Sequence, residues 1–224
     1  MTQMKAKNRR AAVLIILICA VIGLFAVYRV MTGQHKTTLF ASTQATKIKG
    51  SILKEPQFIP DFSFTQGNGK PFTRRYLDSK WTLLFFGFSN CPYVCPTTLA
   101  ELNKTVTTLS KRLPKALVPQ VVMVSVDPER DTAARMKSYV SSFNPAFIGI
   151  RAPKKETAEF AQAMHVSYAK ITAGKSKHYT VTHTASIMVI GPGGRLRAYL
   201  SYPHRSLQMT KDYITLMHVF QQEQ

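Results

Sequence analysis

The sequence predicts an α/β domain, with a mixed sheet covered by helices on both faces, that follows a membrane-spanning helix. Three observations lead to this prediction. The first is an uncharged apolar run near the N-terminus, residues 11–28. The second is a series of short, uniformly apolar segments that alternate with helical patterns. The third is a pair of cysteines, Cys91 and Cys95, that comes directly after one of these apolar segments.

The N-terminal apolar run is just long enough to cross a bilayer as a helix. Basic residues precede it, which orients the N-terminus toward the cytoplasm and the rest of the chain outward. A cleaved signal peptide is the alternative, but the run is long for one and no small-residue cleavage site closes it. We therefore expect a cytoplasmic tail (1–10), an uncleaved membrane anchor (11–31), a linker (32–55) and an extracytoplasmic domain (56–224).

The domain begins with a hairpin pattern, and a strand at 81–88 follows that is apolar enough to be covered on both faces. The later elements are a helix ended by Pro114, a strand at 121–126, a helix to about residue 143, a strand at 147–150, a helix at 155–165, a basic loop at 169–180, hairpin strands at 181–190 and 195–200, and a helix at 206–221. Ligands bind at the C-terminal ends of strands in such sheets. Because the cysteines stand there, the plan is thioredoxin-like.

The chain is strongly basic, with 30 lysines and arginines against 11 acidic residues and a formal net charge of +19. Only five of the basic residues flank the apolar run, so the predicted domain is itself basic. Such a surface attracts nucleic acid, anionic lipid or acidic proteins. No nucleic-acid motif accompanies it, and aromatic residues are not interleaved with the basic ones as a stacking surface needs. We therefore expect an acidic protein partner and no nucleic acid.

Cys91 and Cys95 lie at a strand–helix junction, where a helix N-terminus raises the thiolate fraction. At i and i+4 the two sulfurs fall on one side of a helical turn. A disulfide across so short a loop constrains the unfolded chain little, which disfavours a purely structural role. The extra residue compared with C-x-x-C weakens the case for a dedicated dithiol oxidoreductase but does not forbid a disulfide. The pair therefore binds a soft metal or exchanges disulfides, while Cys19 lies in the predicted anchor.

A metal site needs a third ligand beyond these two sulfurs. His183 opens the strand that we expect beside the end of the cysteine-bearing strand. A lone histidine at a strand start is more often solvated or packed in the core, so the residues alone leave the third ligand open. The candidates are His35, His165, His178, His183, His204 and His218.

Three motifs, in order along the chain, resemble those of the Sco/SenC family, which are membrane-anchored, thioredoxin-fold proteins of copper delivery to cytochrome c oxidase. The resemblance covers about residues 56–222. The motifs are Phe85-Phe86-Gly87-Phe88 before Cys91-Pro92-Tyr93-Val94-Cys95-Pro96, then Ser125-Val126-Asp127-Pro128-Glu129-Arg130-Asp131-Thr132, then His183-Thr184-Ala185-Ser186.

The resemblance implies a copper site formed by Cys91, Cys95 and His183, with Asp127 in a supporting role. Two thiolates and one imidazole suit Cu(I) best and can also serve Cu(II), whereas a structural zinc site needs a fourth ligand. The implied function is a metallochaperone, rather than an enzyme, that delivers copper to the dinuclear copper site of cytochrome c oxidase subunit II or to a related copper protein. Loading needs reduced thiols, so a thiol reductant partner is expected.

Alternatives to this interpretation remain open. A thiol–disulfide reductase would use the same cysteine pair on extracytoplasmic thiols, including those of the oxidase subunit. A peroxide-reducing enzyme is disfavoured because no arginine lies close to Cys91 in the sequence. The segment from Asp127 to Thr132 also suits a simple helix entry, in which Asp131 or Thr132 serves only as a cap.

The chain also departs from the family pattern near the expected site. Asn90 stands where a histidine often precedes the first cysteine, and Thr182 where many relatives have an aspartate beside the histidine. The Gly191–Gly194 turn replaces a more acidic one. These departures keep every expected ligand but leave the supporting contacts and the choice of partner open.

Overall fold

The computed structural model describes residues 48–172 and 179–221, together with Leu24. The described strands are β1 (Gly50–Phe58), β2 (Ser63–Gln66), β3 (Pro71–Thr73), β4 (Thr82–Gly87), β5 (Gln120–Ser125), β6 (Ile148–Arg151), β7 (Tyr168–Thr172), β8 (Tyr179–His183), β9 (Ile187–Gly191) and β10 (Arg195–Leu200). The helices numbered here are α1 (Arg75–Asp78), α2 (Val94–Ser110), α3 (Ala133–Ser141), α4 (Lys154–Ala163) and α5 (Ser206–Gln221).

Eight of the ten described strands form one mixed sheet in the order β1-β10-β9-β4-β5-β6-β2-β3. Strands β4, β5 and β6 run parallel, and the strands on either side of them pair antiparallel. The remaining two, β7 and β8, pair with each other in a separate two-stranded sheet. Parallel strands end at a common edge, so the loops that follow β4 and β5 lie side by side.

The central strands are buried because their side chains alternate between two apolar layers. Leu83 and Phe85 of β4 belong to the layer covered by α2, α3 and α5. Leu84 and Phe86 belong to the opposite layer, which includes residues of α1 and α4. The predicted α/β fold, a thioredoxin-like mixed sheet with helices on both faces, is therefore confirmed.

Strand β1 begins inside the segment that the sequence predicted to be a linker, residues 32–55. Its Gly50–Ile52 portion pairs antiparallel with the end of β10, so the main sheet extends several residues into that segment. The strand was missed because it lies at an edge of the sheet. It has no fully buried residue, so its sequence lacks the apolar alternation by which a strand is recognised.

The segment around His183 also differs from the prediction. Residues 169–172, expected as the start of a basic loop, belong to strand β7, and all four are exposed. The single strand expected over 181–190 is interrupted at Thr184–Ser186. It is interrupted because β8 leaves the main sheet to pair with β7, whereas β9 pairs with β4.

The predicted membrane anchor, residues 11–31, falls outside the described part of the chain apart from Leu24. Within the described part, no helix combines the length and apolar character needed to cross a bilayer. The anchor, its orientation and the location of the domain therefore stay predictions.

Candidate metal centre

Cys91 and Cys95 lie in the loop that joins β4 to α2. The backbone N–H of Cys91 donates to the carbonyl of Phe88 at 3.1 Å, which turns the chain away from the sheet. Cys95 is the second residue of α2 and is fully buried, and its backbone N–H donates to Cys91 Sγ at 3.3 Å. The i, i+4 spacing predicted that the two cysteines share a turn of the helix. Cys91 instead precedes the helix. Its sulfur nevertheless meets the helix N-terminus, as expected.

The two free thiols differ in protonation. A hydrogen bond from the Cys95 side chain lowers the pKa of Cys91 to about 4, with smaller contributions from backbone N–H groups. The same hydrogen bond, together with burial, raises the pKa of Cys95 well above its ordinary value. At neutral pH the half-buried Cys91 is therefore the thiolate, and the buried Cys95 holds the proton.

Gly87, the last residue of β4, makes room for the buried sulfur. A Cβ atom at this position would lie 2.8 Å from Cys95 Sγ and 2.8 Å from Met123 Cε. Real Cβ atoms almost never come so close to another heavy atom. The glycine of the Phe-Phe-Gly-Phe motif is thus required for its lack of a side chain.

His183 reaches the cysteines from β8, the strand outside the main sheet. Its Nε2 lies 3.8 Å from Cys95 Sγ, and its Nδ1 lies 2.9 Å from the Thr184 carbonyl oxygen. A carbonyl oxygen can only accept, so Nδ1 carries the proton and the Nε2 lone pair faces the sulfurs. The ring of Phe88 packs edge-on against the imidazole, with 6.2 Å between ring centroids.

The ligand atoms of Cys91, Cys95 and His183 all lie within 4.8 Å of one another. Across residues 48–172 and 179–221, no other group of three or more histidine, cysteine, aspartate or glutamate side chains converges closely enough to hold a metal ion. Two sulfurs and one imidazole nitrogen form a soft donor set that fits copper, above all Cu(I). With three donors, the site leaves room for a ligand from another molecule.

The other histidines do not join this group. His165 contacts the Gln57 side chain at 3.2 Å, His204 is buried against the backbone of Ala185, and His218 is exposed near the end of α5. His35 and His178 lie outside the described residues. Of the histidines that the structure describes, His183 alone comes to the cysteines, in agreement with the resemblance.

Asp127, expected in a supporting role, is fully buried just beyond β5. Its carboxylate accepts a hydrogen bond from the Tyr179 hydroxyl at 2.7 Å and forms an ion pair with the Arg130 side chain. The Arg130 guanidinium also lies over the Tyr179 ring, 3.8 Å from its centroid. Tyr179 begins the strand that His183 ends, so Asp127 contacts this strand at the end far from His183. The Asp127 carboxylate has no hydrogen bond to the three ligand side chains.

Asp131 has a larger role than the predicted helix cap. The cap of α3 is Thr132, whose hydroxyl accepts the Arg135 N–H at 3.1 Å. The buried Asp131 carboxylate instead accepts the Ser125 hydroxyl at 2.6 Å and both the N–H and hydroxyl of Ser89. Since Ser89 lies two residues before Cys91, Asp131 connects the cysteine loop to the end of β5.

Arg135 holds the same loop from the solvent side. Its Nε donates to the Ser89 hydroxyl at 2.7 Å, and its Nη2 donates to Asn90 Oδ1. Asn90, one of the departures from the family pattern, is therefore held by Arg135 through its side-chain oxygen. The sequence signal that could have revealed these contacts is the position of Asp131 and Arg135 where the chain passes from β5 into α3, at the same sheet edge as the cysteines.

Residues 51–218 match the family model described as SCO1/SenC. A putative copper-binding protein of Stutzerimonas stutzeri is 31% identical over 68% of this chain and 73% of its own length. The chain spans about half the length of other curated relatives, such as 50% of the mitochondrial SCO1 homolog 1 of Arabidopsis thaliana and 56% of the human mitochondrial SCO1 homolog.

Solved structures agree with this family match. Apo Sco1 of Thermus thermophilus is 33% identical, with a TM-score of 0.66 over 76% of this chain and 97% of that chain. Copper-bound ScoI of Bradyrhizobium japonicum is 34% identical, with a TM-score of 0.62 over 70% of this chain and 98% of that chain. The sequence match, the fold and the Cys-Cys-His group agree, and this chain belongs to the SCO1/SenC family.

Proposed function

We propose that this protein is a membrane-anchored copper chaperone that carries copper on Cys91, Cys95 and His183. One observation supports it above all: the donor atoms of Cys95 and His183, which are 88 positions apart in the chain, converge with the sulfur of Cys91 within 4.8 Å. The Stutzerimonas relative is named for copper binding, and the Bradyrhizobium structure holds copper. The delivery target that we propose is the dinuclear copper site of cytochrome c oxidase subunit II.

The chemistry of capture follows from the protonation of the three donors. The partly exposed Cys91 thiolate is the group that incoming copper meets first. Copper then displaces the proton of Cys95, since metal ligation requires the thiolate, and the Nε2 lone pair of His183 is already free. A sulfur from the partner protein enters the open side and replaces these donors in turn, which transfers the copper without releasing it to water.

The location that we propose places the anchor in the inner membrane and the domain in the periplasm. There the free thiols are exposed to oxidation, and a disulfide between them would prevent loading. A thiol reductant partner is therefore part of the proposal. The basic character of the chain favours an acidic docking surface on the partner.

The test is a Cu(I) titration of the reduced full-length protein in detergent, in competition with a chromophoric chelator. The wild-type protein should bind one Cu(I) tightly, and His183→Ala should lose that tight binding. His165→Ala is the matched control, because His165 contacts Gln57 and takes no part in the site. Unaltered affinity in His183→Ala would show that the three-ligand site is wrong. Delivery is tested separately, by mixing the copper-loaded protein with copper-free oxidase subunit II.

A second candidate, a thiol–disulfide reductase, is favoured by the pairing of an accessible thiolate with a buried thiol. Cys91 would attack a substrate disulfide and release one substrate thiolate. Cys95, after losing its proton, would then attack Cys91 Sγ and release the second, leaving a Cys91–Cys95 disulfide. His183→Ala separates the two functions, because it should abolish tight copper binding and spare disulfide exchange.

A further inference from the structure

The segment that carries His183 into the site is a three-residue connection, Thr184–Ser186, between two different sheets. No strand ladder holds it. On one side, the N–H of Thr184 donates to the Ser167 carbonyl at 2.9 Å, and the Thr184 hydroxyl accepts the Ser167 N–H at 3.1 Å. The Thr184 carbonyl in turn accepts the proton of His183 Nδ1. The orientation of the imidazole therefore depends on how these peptide groups are held.

The other side of this connection is held by His204. Its Nε2 lies 2.7 Å from the carbonyl oxygen of Ala185, two residues after His183. A carbonyl can only accept, so the proton of His204 lies on Nε2. The side chain is buried, with 6% of its surface exposed, and its Nδ1 has no hydrogen-bond partner among the described residues.

The unpartnered Nδ1 indicates why a histidine stands at this position. An apolar side chain of similar size would fill the same space without leaving a buried nitrogen unpaired. Packing alone therefore does not account for the imidazole. The contact that an apolar residue could not replace is the hydrogen bond from Nε2 to Ala185.

His204 is itself on a firmly held loop before α5. The Lys49 ammonium donates to the Pro203 carbonyl at 2.7 Å, and the Ser206 N–H donates to Glu101 of α2 at 2.6 Å. The ring of Tyr202 packs edge-on against His204, with 5.7 Å between ring centroids. These contacts join the loop to β1 and α2, so His204 offers Ala185 a fixed anchor.

We propose that His204 is a positioning residue for copper binding: it fixes the Ala185 peptide and so holds the His183 Nε2 in line with the two sulfurs. The inference rests on the proposed copper function for its effect on binding, but its structural half concerns the copper-free protein. The connection is then anchored on both flanks, by Ser167 on the β7 side and by His204 on the α5 side.

Three substitutions of His204 in the full-length protein test this role. His204→Leu fills the space without a donor, His204→Gln places an amide N–H where Nε2 was, and His204→Asn keeps the polarity but has a shorter reach. Leu and Asn should weaken Cu(I) affinity about 10-fold, the scale typical of contacts behind a metal ligand. They should also shift the thiolate-to-copper absorption of the Cu(II) form and speed hydrogen exchange of the Thr184 amide in the copper-free protein. Gln should restore all three properties.

The comparison of His204→Gln with His204→Asn tests the positioning role of His204 even if His204→Leu fails to fold. Equal copper affinity and spectrum in both variants would overturn the inference, because a packing role does not distinguish their reach. Wild-type affinity and Thr184 exchange in His204→Leu would overturn it as well. His218→Leu, which alters an exposed histidine near the end of α5, should leave every readout unchanged.

The failure of the proposed function would look different. In that case the wild-type protein would bind no copper, or His183→Ala would bind it as tightly as the wild type does. Thr184 exchange in the copper-free variants would then decide the positioning role by itself. Faster exchange in Leu and Asn, but not in Gln, would support it, and unchanged exchange would overturn it.

Discussion

The cysteine loop and the β7–β8 hairpin supply ligand atoms to the same site, but the fold holds them in different ways. All six residues of β4, which leads into the cysteine loop, are buried. In β8, which ends in His183, only Val181 is buried, and the last four residues of its partner β7 are exposed. The cysteines thus rest on the core of the main sheet, whereas the histidine is brought in by a peripheral hairpin.

Polar contacts compensate for this difference in burial. The hairpin is tied down at one end by Asp127, through Tyr179, and at the other end by the anchors of Thr184 and Ala185. The cysteine loop has Asp131 beneath it and Arg135 above it. We therefore expect changes beneath the cysteine loop to reduce fold stability, and changes around the hairpin to reduce copper binding more than stability.

The largest expected effect is on the reactivity of Cys91, and it shows which of the two regions lowers the pKa of this thiol. Cys95→Ala removes the main hydrogen bond that lowers the pKa of Cys91 to about 4, whereas His183→Ala leaves that hydrogen bond in place. Alkylation by iodoacetamide requires the thiolate. At pH 6 the wild-type Cys91 should react at its full rate, and the rate should fall only as the pH drops toward 4.

In Cys95→Ala the pKa of Cys91 should rise toward about 8.5, which lowers the thiolate fraction at pH 6 by roughly 300-fold. The measurement is the alkylation rate as a function of pH, followed by mass spectrometry. His183→Ala is the matched variant and should move the midpoint less. An equal shift in both variants would mean that the hairpin contributes as much as the cysteine loop does to the activation of Cys91.

Asp131→Ala should cause the next largest change, a loss of about 3 kcal/mol in the free energy of unfolding. The substitution leaves two donors of Ser89 and the buried hydroxyl of Ser125 without their acceptor. Urea unfolding followed by circular dichroism measures the loss. Asp61→Ala is the control, since the Asp61 side chain is 91% exposed and pairs with Arg74 at the surface. A loss no greater than that of the control would show that the cysteine loop does not depend on the carboxylate.

Gly87→Ala should destabilise the fold by about 2 kcal/mol, as overpacked core positions do. Its new methyl group would press on Cys95 Sγ, so copper affinity should fall as well. Gly149→Ala is a matched control on β6, because its Cβ would meet the backbone of Met136 instead of the sulfur. Both variants should lose stability, and only Gly87→Ala should lose copper affinity. A loss of copper affinity in both variants would mean that strain elsewhere in the sheet weakens the site as much as direct pressure on Cys95 Sγ does.

The same contrast explains what the sequence could predict. The strand–loop–helix unit around Cys91 and Cys95 is local and strongly apolar, so its period and spacing were sufficient to predict it. Strand β7 was missed because it is exposed on both faces and therefore shows no alternation. His183 could be selected among six histidines only through the family resemblance, because its approach to Cys95 depends on contacts between distant segments.

Asp131 shows a different limit of the sequence. An aspartate before a helix has the same local pattern whether it caps that helix or accepts hydrogen bonds from another loop. The capping role went to Thr132, and the carboxylate turned toward Ser89 and Ser125. Only the parallel arrangement of β4 and β5, which places the two loops side by side, decides between these outcomes.

The smallest effect expected is also the most direct test of the hairpin's polar hold. Tyr179→Phe removes the hydroxyl that donates to Asp127 but keeps the ring beneath Arg130. The Asp127 carboxylate keeps its ion pair with Arg130, so the free energy of unfolding should fall by only about 1 kcal/mol. Copper affinity should fall up to about 10-fold, because the strand that ends in His183 loses one of its anchors.

Cu(I) competition and urea unfolding on the same preparation measure the two quantities for Tyr179→Phe. Tyr76→Phe is the control, since Tyr76 stacks on Phe72 in the hairpin of β2 and β3 and has no contact with β8. If Tyr179→Phe lost several kcal/mol in the free energy of unfolding and kept its copper affinity, Tyr179 would support the core of the main sheet and not the copper site. A change confined to copper affinity would confirm that Asp127 acts on the histidine through Tyr179 and strand β8, since the carboxylate itself reaches none of the three ligands.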